Sequence, residues 1–321
     1  CDNVRLIGAN LLRQHYVMQL KSETSNLYLK LSTKQHSQWP SLHAWERVKL
    51  SKTMRAALQN LIRQPQKAEI KKGTLNALKR RNLVNETGQL TNEGYVFALR
   101  LCPLHEQVEF LDIPLSYIEL PKSSERPEFD LMEVYRNDGW LSCFAEGGSV
   151  FVLLYAIWYD TLLPYVMEEY NNDLDYVEYD MYNIYSYNLY LDDIPDARSK
   201  LLQAIKGISR KQVASNYDKI ESLQYSDTWF PYGYHGISKS LILQLFDLLG
   251  RYRLERIASV FLEDRYLFSK GWPDLTLVGE NNVRFVEVKT SDKLHFSQLI
   301  VMPTMQQEAD LNFEVVKIKY G

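Results

Sequence analysis

Residues 271 to 289 constrain the chain most. Leu275-Thr276-Leu277-Val278 and Val283-Arg284-Phe285-Val286-Glu287-Val288-Lys289 are two runs with alternating apolar residues, separated by Gly279-Glu280-Asn281-Asn282. Such alternation around a Gly/Asn cluster predicts two strands joined by a tight turn. Asp274 opens the first strand. Glu287 and Lys289 stand two apart on the second, so their side chains leave one face of the sheet. Two carboxylates and an ammonium gathered there are costly if simply buried. A hard cation between the carboxylates offsets that cost, and Mg²⁺ commonly takes one or two carboxylates, several waters and a substrate phosphate.

Four features of the chain occur together: the Gly271-Trp272-Pro273-Asp274 entry, the Phe285-Val286-Glu287-Val288-Lys289 strand, Gln298 on a helix expected over 291–307, and, far upstream, Glu133-Val134-Tyr135-Arg136-Asn137-Asp138-Gly139-Trp140 followed by Ala145-Glu146-Gly147-Gly148. In that order they resemble the VRR-NUC branch of the PD-(D/E)xK nuclease superfamily, whose members include the Fanconi anaemia-associated nucleases. The resemblance covers roughly residues 130 to 321. The chain departs from the family in a long Tyr- and Asp-rich stretch after the helix that follows Glu146.

The resemblance implies an α/β fold, α+β overall: a restriction-endonuclease-like core with a mixed sheet flanked by helices. It also implies roles. Asp274 and Glu287, the carbonyl of Val288 and the Glu146 carboxylate would hold one or two Mg²⁺ or Mn²⁺ ions. Lys289 would orient or deprotonate the attacking water, and Gln298 would bond the water or a phosphate. The substrate would be DNA recognised by its shape as a flap, branch or end, as in relatives that act in repair. A toxin or defence nuclease held by an immunity partner, and a non-catalytic DNA-binding scaffold, are the alternatives from other classes. A histidine mechanism is disfavoured, because His15, His36, His43, His105, His235 and His295 neither cluster nor show ligand spacing.

Charge divides the chain. Residues 1 to 100 hold 17 Lys and Arg against 6 Asp and Glu, although the whole chain carries a net charge of -3. Such asymmetry suggests nucleic-acid contact by the basic part. The expected division is a basic region at 1–125 and a nuclease-like domain at 126–321. Val4–Leu20 reads as a helix and Leu27–Leu31 as a strand. At about 45–102, Ser51 caps a first amphipathic helix, a second runs from about Gly73 to Asn82, a hairpin turns at Gly88, and Thr91 caps a third helix. That is a winged-helix-like layout, in which Lys71, Lys72, Lys79, Arg80 and Arg81 would grip phosphates. The proline-rich 101–128 reads as a linker carrying one edge strand at 117–120.

Val150–Tyr159 is too apolar for a surface helix and is expected to be buried against the sheet. Residues 164–197 hold nine Asp and Glu and no Lys or Arg. They read either as an acidic elaboration of the fold or as a surface that docks a basic protein partner. Trp229–Tyr234 reads as an aromatic loop. Lys200–Asn216, Ile237–Leu249 and Arg251–Leu262 read as helices, with Arg251, Arg253 and Arg256 as candidate phosphate contacts. Phe313–Lys319 alternates as a last, partly exposed strand. No apolar run approaches membrane-spanning length, so no membrane partner is expected. Three cysteines at unrelated spacings, Cys1, Cys102 and Cys143, fit a reducing compartment. That is the nucleoid-associated cytoplasm of a bacterium or the nucleus of a eukaryote. The sequence opens on Cys1 without a leader, which reads as a fragment or a processed chain.

Overall fold

The structure is a computed structural model that describes residues 48–66, 68–121, 123–124, 126–169, 191, 194–222 and 235–321. The expectations for Val4–Leu20, Leu27–Leu31, the aromatic loop 229–234 and most of the acidic stretch 164–197 lie outside these residues. The chain divides into two compact units, Cys1–Phe110 and Leu111–Gly321.

In the first unit, helix α1 (Lys52–Arg63) buries Met54, Ala57, Leu58, Leu61 and Ile62. Their spacing is that of one helix face. Ser51 caps α1 by accepting from the Met54 N–H at 3.3 Å. Helix α2 (Lys72–Lys79) buries Leu78. Thr91 caps α3 (Asn92–Leu101) by accepting from the Gly94 N–H at 3.1 Å. Between α2 and α3, Val84 and Leu90 form a β-bridge around Gly88, whose φ is +85°. The Asn85 carboxamide oxygen ties that turn together by accepting from the Thr87 and Gln89 N–H groups. Gly94 is required by close packing, since a Cβ there would lie 1.8 Å from the Leu83 carbonyl oxygen. Helix α4 (Leu104–Leu111) follows.

The second unit is built on a five-stranded mixed sheet. Its strands are β1 (Leu115–Leu120), β2 (Leu141–Phe144), β3 (Leu275–Val278), β4 (Val283–Lys289) and β5 (Phe313–Tyr320), in the order β1-β5-β4-β3-β2. β3 is antiparallel to β2 and β4, whereas β4, β5 and β1 run parallel. The expected hairpin is present, with Leu275 opposite Val286 and Val278 opposite Val283. Gly279 N–H closes its turn on the Asn282 carbonyl at 2.9 Å.

One sequence expectation is corrected here. The boundary expected near 125 falls near 110, because residues 101–128 are not a linker: they hold α4 and β1, and β1 pairs with β5 along its whole length. β5, partly exposed as expected, is an inner strand between β4 and β1.

Helix α5 (Pro127–Asn137) covers one face of the sheet, where Leu131 and Met132 pack with Phe144, Leu275, Leu277, Val286, Val288, Val316 and Ile318. Helix α6 (Gly148–Glu169) is buried almost continuously from Gly148 to Tyr159. At about 1.5–3 kcal/mol per fully buried large apolar side chain, this helix contributes heavily to the core. By length and composition alone, Gly148–Glu168 could cross a membrane, but most of it is buried inside the fold.

Helices α7 (Ala197–Gly207) and α8 (Arg210–Ser222) replace the single helix expected over 200–216. The Ser209 hydroxyl caps the second by accepting from the Gln212 N–H at 3.1 Å. Helix α9 (Lys239–Phe261) is interrupted at Gly250 (φ +65°), as two helices meeting there would be. After α10 (Arg265–Phe268) and the β3–β4 hairpin, α11 (Gln298–Ala309) starts later than expected and runs through Pro303.

Candidate active site

Antiparallel pairing sets the geometry. One step beyond the Leu275–Val286 pair, Asp274 stands opposite Glu287, so both carboxylates leave the same side of the hairpin. The Asp274 carboxylate accepts from the Val288 N–H at 2.8 Å. Glu287 is 1% exposed and Lys289 4%. Lys289 Nζ lies 2.6 Å from Glu287 Oε1 and 3.4 Å from Asp292 Oδ2. The other Glu287 oxygen, Oε2, is buried with no hydrogen-bond partner. The His295 N–H binds Gln298 Oε1 at 2.8 Å, and the Gln298 amide also favours the charged form of Glu287.

The electrostatics follow from crowding. Burial and then the Glu287 charge push the Asp274 carboxyl up to about 9, against the Val288 N–H that favours its anion. Burial also raises Glu287, with Lys289 opposing. Burial lowers Lys289, but the Glu287 charge and hydrogen bond, with the Asp292 and Asp274 charges, together outweigh it and hold the ammonium above its ordinary value. Two carboxyls that resist ionising together, one with an unpartnered oxygen, are a donor set suited to a hard divalent cation.

Three further segments fix the pair. Ala145 and Glu146 N–H both bond the Asp274 carbonyl, at 3.0 and 3.3 Å. Glu146 and Gly147 take left-handed backbone conformations, with φ of +44° and +86°. A Cβ on Gly147 would lie 2.4 Å from the Trp272 ring. Trp272 in turn packs on Phe151 of α6 and Phe285 of β4. Gly271 (φ +75°) presses on the Ser297 backbone, where a Cβ would come within 2.4 Å. The Gly-Trp-Pro-Asp and Glu-Gly segments thus lock together, and Gly271 sets the start of α11 beside them.

Asp274, Val288, Glu287, Lys289 and Gln298 are therefore brought together. Glu146 meets Asp274 through its backbone, while its side chain is exposed. Among the described residues, no three His, Cys, Asp or Glu side chains form a compact metal-holding group. Glu128, in the first turn of α5, was not singled out from the sequence, yet its charge is one of those that raise Asp274. An acid in a first helical turn is ordinary, which hides it.

The basic candidates divide. Lys71, Lys72, Arg80 and Arg81 are exposed on or immediately flanking α2, with Arg81 donating to the Ala77 carbonyl. Lys79 is bound to Glu86 at 2.8 Å. On α9, Arg251 donates to the Ile208 carbonyl, Arg253 pairs with Asp310 at 2.5 Å, and Arg256 pairs with Glu308. Those three guanidinium groups are engaged with neighbouring segments rather than free for phosphate.

No protein-family model and no curated protein matches the chain. Its mixed five-stranded sheet with flanking helices defines an α+β fold. That fold is similar to crystal structures of paFAN1. In one, paFAN1 is bound to 2nt 5′ flap DNA with a gap; the TM-score is 0.52 at 16% identity, covering 87% of this chain and 51% of that one. In another, bound to 1nt 5′ flap DNA with a gap, the TM-score is 0.51 at 16% identity. The chain spans about half the length of these structures.

Proposed function

We propose that the chain is a metal-dependent DNA nuclease of the VRR-NUC type, selective for flap or branched DNA rather than for sequence. The observation that carries this is the buried Asp274–Glu287–Lys289 cluster with its unpartnered carboxylate oxygen, set in a fold similar to that of a protein crystallised on flap DNA. An ion pair between Glu287 and Lys289 alone accounts neither for that oxygen nor for the second carboxyl alongside.

Asp274 and Glu287 would hold a divalent cation, Mg²⁺ or Mn²⁺, with the Val288 carbonyl and a further acid, Glu146 or Glu128. An ion held by these residues would supply a more acidic bound water and a counter-charge for the phosphate. Lys289, already charged and buried, orients the attacking water and offsets charge that builds on the phosphate oxygens. Gln298 favours the anionic form of Glu287 against the burial that opposes it. The N-terminal helices would act as a winged-helix-like module, with Lys71, Lys72, Arg80 and Arg81 on the duplex backbone, and the role would be in DNA repair.

The test is cleavage of labelled 5′ flap, fork, junction and linear duplex DNA with Mg²⁺ or Mn²⁺, comparing the wild type with Asp274→Asn. Cutting of branched substrates by the wild type alone supports the reading. Equal cutting by both proteins, or none by either, removes it.

A further inference from the structure

Arg126 stands apart from the other arginines of the second unit. Arg136, Arg198, Arg210, Arg253, Arg256 and Arg284 each hold an acid. Arg251 holds a carbonyl, and Arg265 also has a partner. Among the described residues, the exposed Arg126 guanidinium has neither acid nor carbonyl. It lies 5.6 Å over the Phe129 ring and 5.7 Å over the Phe144 ring. Those rings are fixed edge to face at 5.6 Å, and Phe129 is braced again by His235 at 4.8 Å. A cation over two aromatic faces loses side-chain freedom while keeping every N–H donor for a ligand.

Its position is what matters. Phe144 is the residue before Ala145, whose N–H bonds the Asp274 carbonyl, and it pairs with Leu275, the residue after Asp274. Glu128, which acts electrostatically on Asp274, is two residues from Arg126. The guanidinium therefore lies near the Asp274 end of the sheet, on the α5 face, while Asp274 and Glu287 leave the opposite face, and it is the wrong charge to help hold a metal. A planar fork of donors on a rigid support suits a phosphodiester oxygen pair.

We propose that Arg126 clamps a backbone phosphate of the bound DNA strand next to the scissile one. The proposal rests on the nuclease reading and deepens it by giving the site a strand-positioning contact. Arg126 is a positioning residue and takes no part in bond making.

The experiment measures binding of 5′ flap DNA in EDTA across a salt series, and cleavage kinetics with Mg²⁺, for the full chain. Arg126→Met keeps much of the contact with the rings and removes the charge; Arg126→Lys keeps the charge; Arg210→Met, an exposed partner of Asp247, is the control. For Arg126→Met the slope of log affinity against log salt should fall by about 0.9, so its deficit relative to the wild type narrows roughly threefold to fourfold between 50 and 200 mM salt. KM should rise with a much smaller change in kcat, and Arg126→Lys should restore the slope. A thermal melt of each variant separates loss of packing from loss of contact. If the wild type cuts flap DNA but Arg126→Met matches its slope and KM, this proposal alone is overturned. If the wild type neither binds nor cuts, the nuclease reading fails and takes the proposal with it.

Discussion

Lys289 Nζ is 2.6 Å from one oxygen of Glu287, and the other oxygen of that carboxylate has no partner. Removing the ammonium should therefore cost more than a surface ion pair would. Lys289→Met leaves a buried carboxyl without its counter-charge, and breaking one side of a buried pair costs about 3–5 kcal/mol. The double variant Glu287→Gln with Lys289→Met should recover much of that stability and none of the activity. Urea unfolding of Lys289→Met, Glu287→Gln and the double variant without metal checks this; independent, additive losses would show that the pair is not coupled.

A second expectation concerns pH. The Asp274 carboxyl, raised to about 9, binds its proton more tightly in the folded chain than in the unfolded one, where it is near 3.8. The stability it contributes is complete below the unfolded value and is lost as pH rises toward about 9. Without metal, Tm should fall across that window by several degrees, at roughly 2–4 °C per kcal/mol for a unit of this size. Asp274→Asn should flatten the profile. Melts from pH 5 to 9 in EDTA decide it, and a flat wild-type profile would mean that Asp274 ionises freely. Metal affinity should rise with pH over the same range, because binding must displace that proton.

Gly147 gives a third. It needs a left-handed backbone and has no room for a methyl group, since Trp272 would lie 2.4 Å from the new carbon. Gly147→Ala combines overpacking, typically about 1–3 kcal/mol, with backbone strain of similar order. Activity should fall further than stability does, because Trp272 is two residues from Asp274. Cleavage assayed well below the variant's Tm separates the two effects.

The hairpin and its chemistry were legible in the sequence because they are local: alternation, a Gly/Asn turn and a two-residue offset place Glu287 and Lys289 together without distant information. The apolar run of α6 was legible for the same reason. What escaped depends on contacts remote along the chain. β1 reads as a weak strand among prolines until β5, some two hundred residues on, pairs with it. Arg253 and Arg256 read as candidate phosphate contacts until Asp310 and Glu308 are brought against them. The break before α8 is hidden because Ile208 and Ser209 carry no strong breaker signal, and Gly207 is tolerated at a helix end.

Glu128 and Glu146 present the last expectation. Both are acids near the Asp274 end of the sheet, but they differ in what the fold does with them. Glu146 is held by its backbone, with an exposed side chain on a left-handed residue. Glu128 projects from the first turn of α5, half-buried, and its charge is felt by Asp274. A carboxylate whose charge already opposes ionisation of Asp274 is the one that a cation between them would draw in. Glu128→Gln should therefore weaken Mn²⁺ affinity, measured by calorimetry on the DNA-free protein, by about tenfold or more, as loss of one charged ligand commonly does. It should also lower the Asp274 pKa, visible as a shallower fall of Tm with pH. Glu146→Gln should change metal affinity less and leave the pH profile in place. The opposite ranking would return the third ligand to Glu146 and imply that its side chain swings inward when the ion binds.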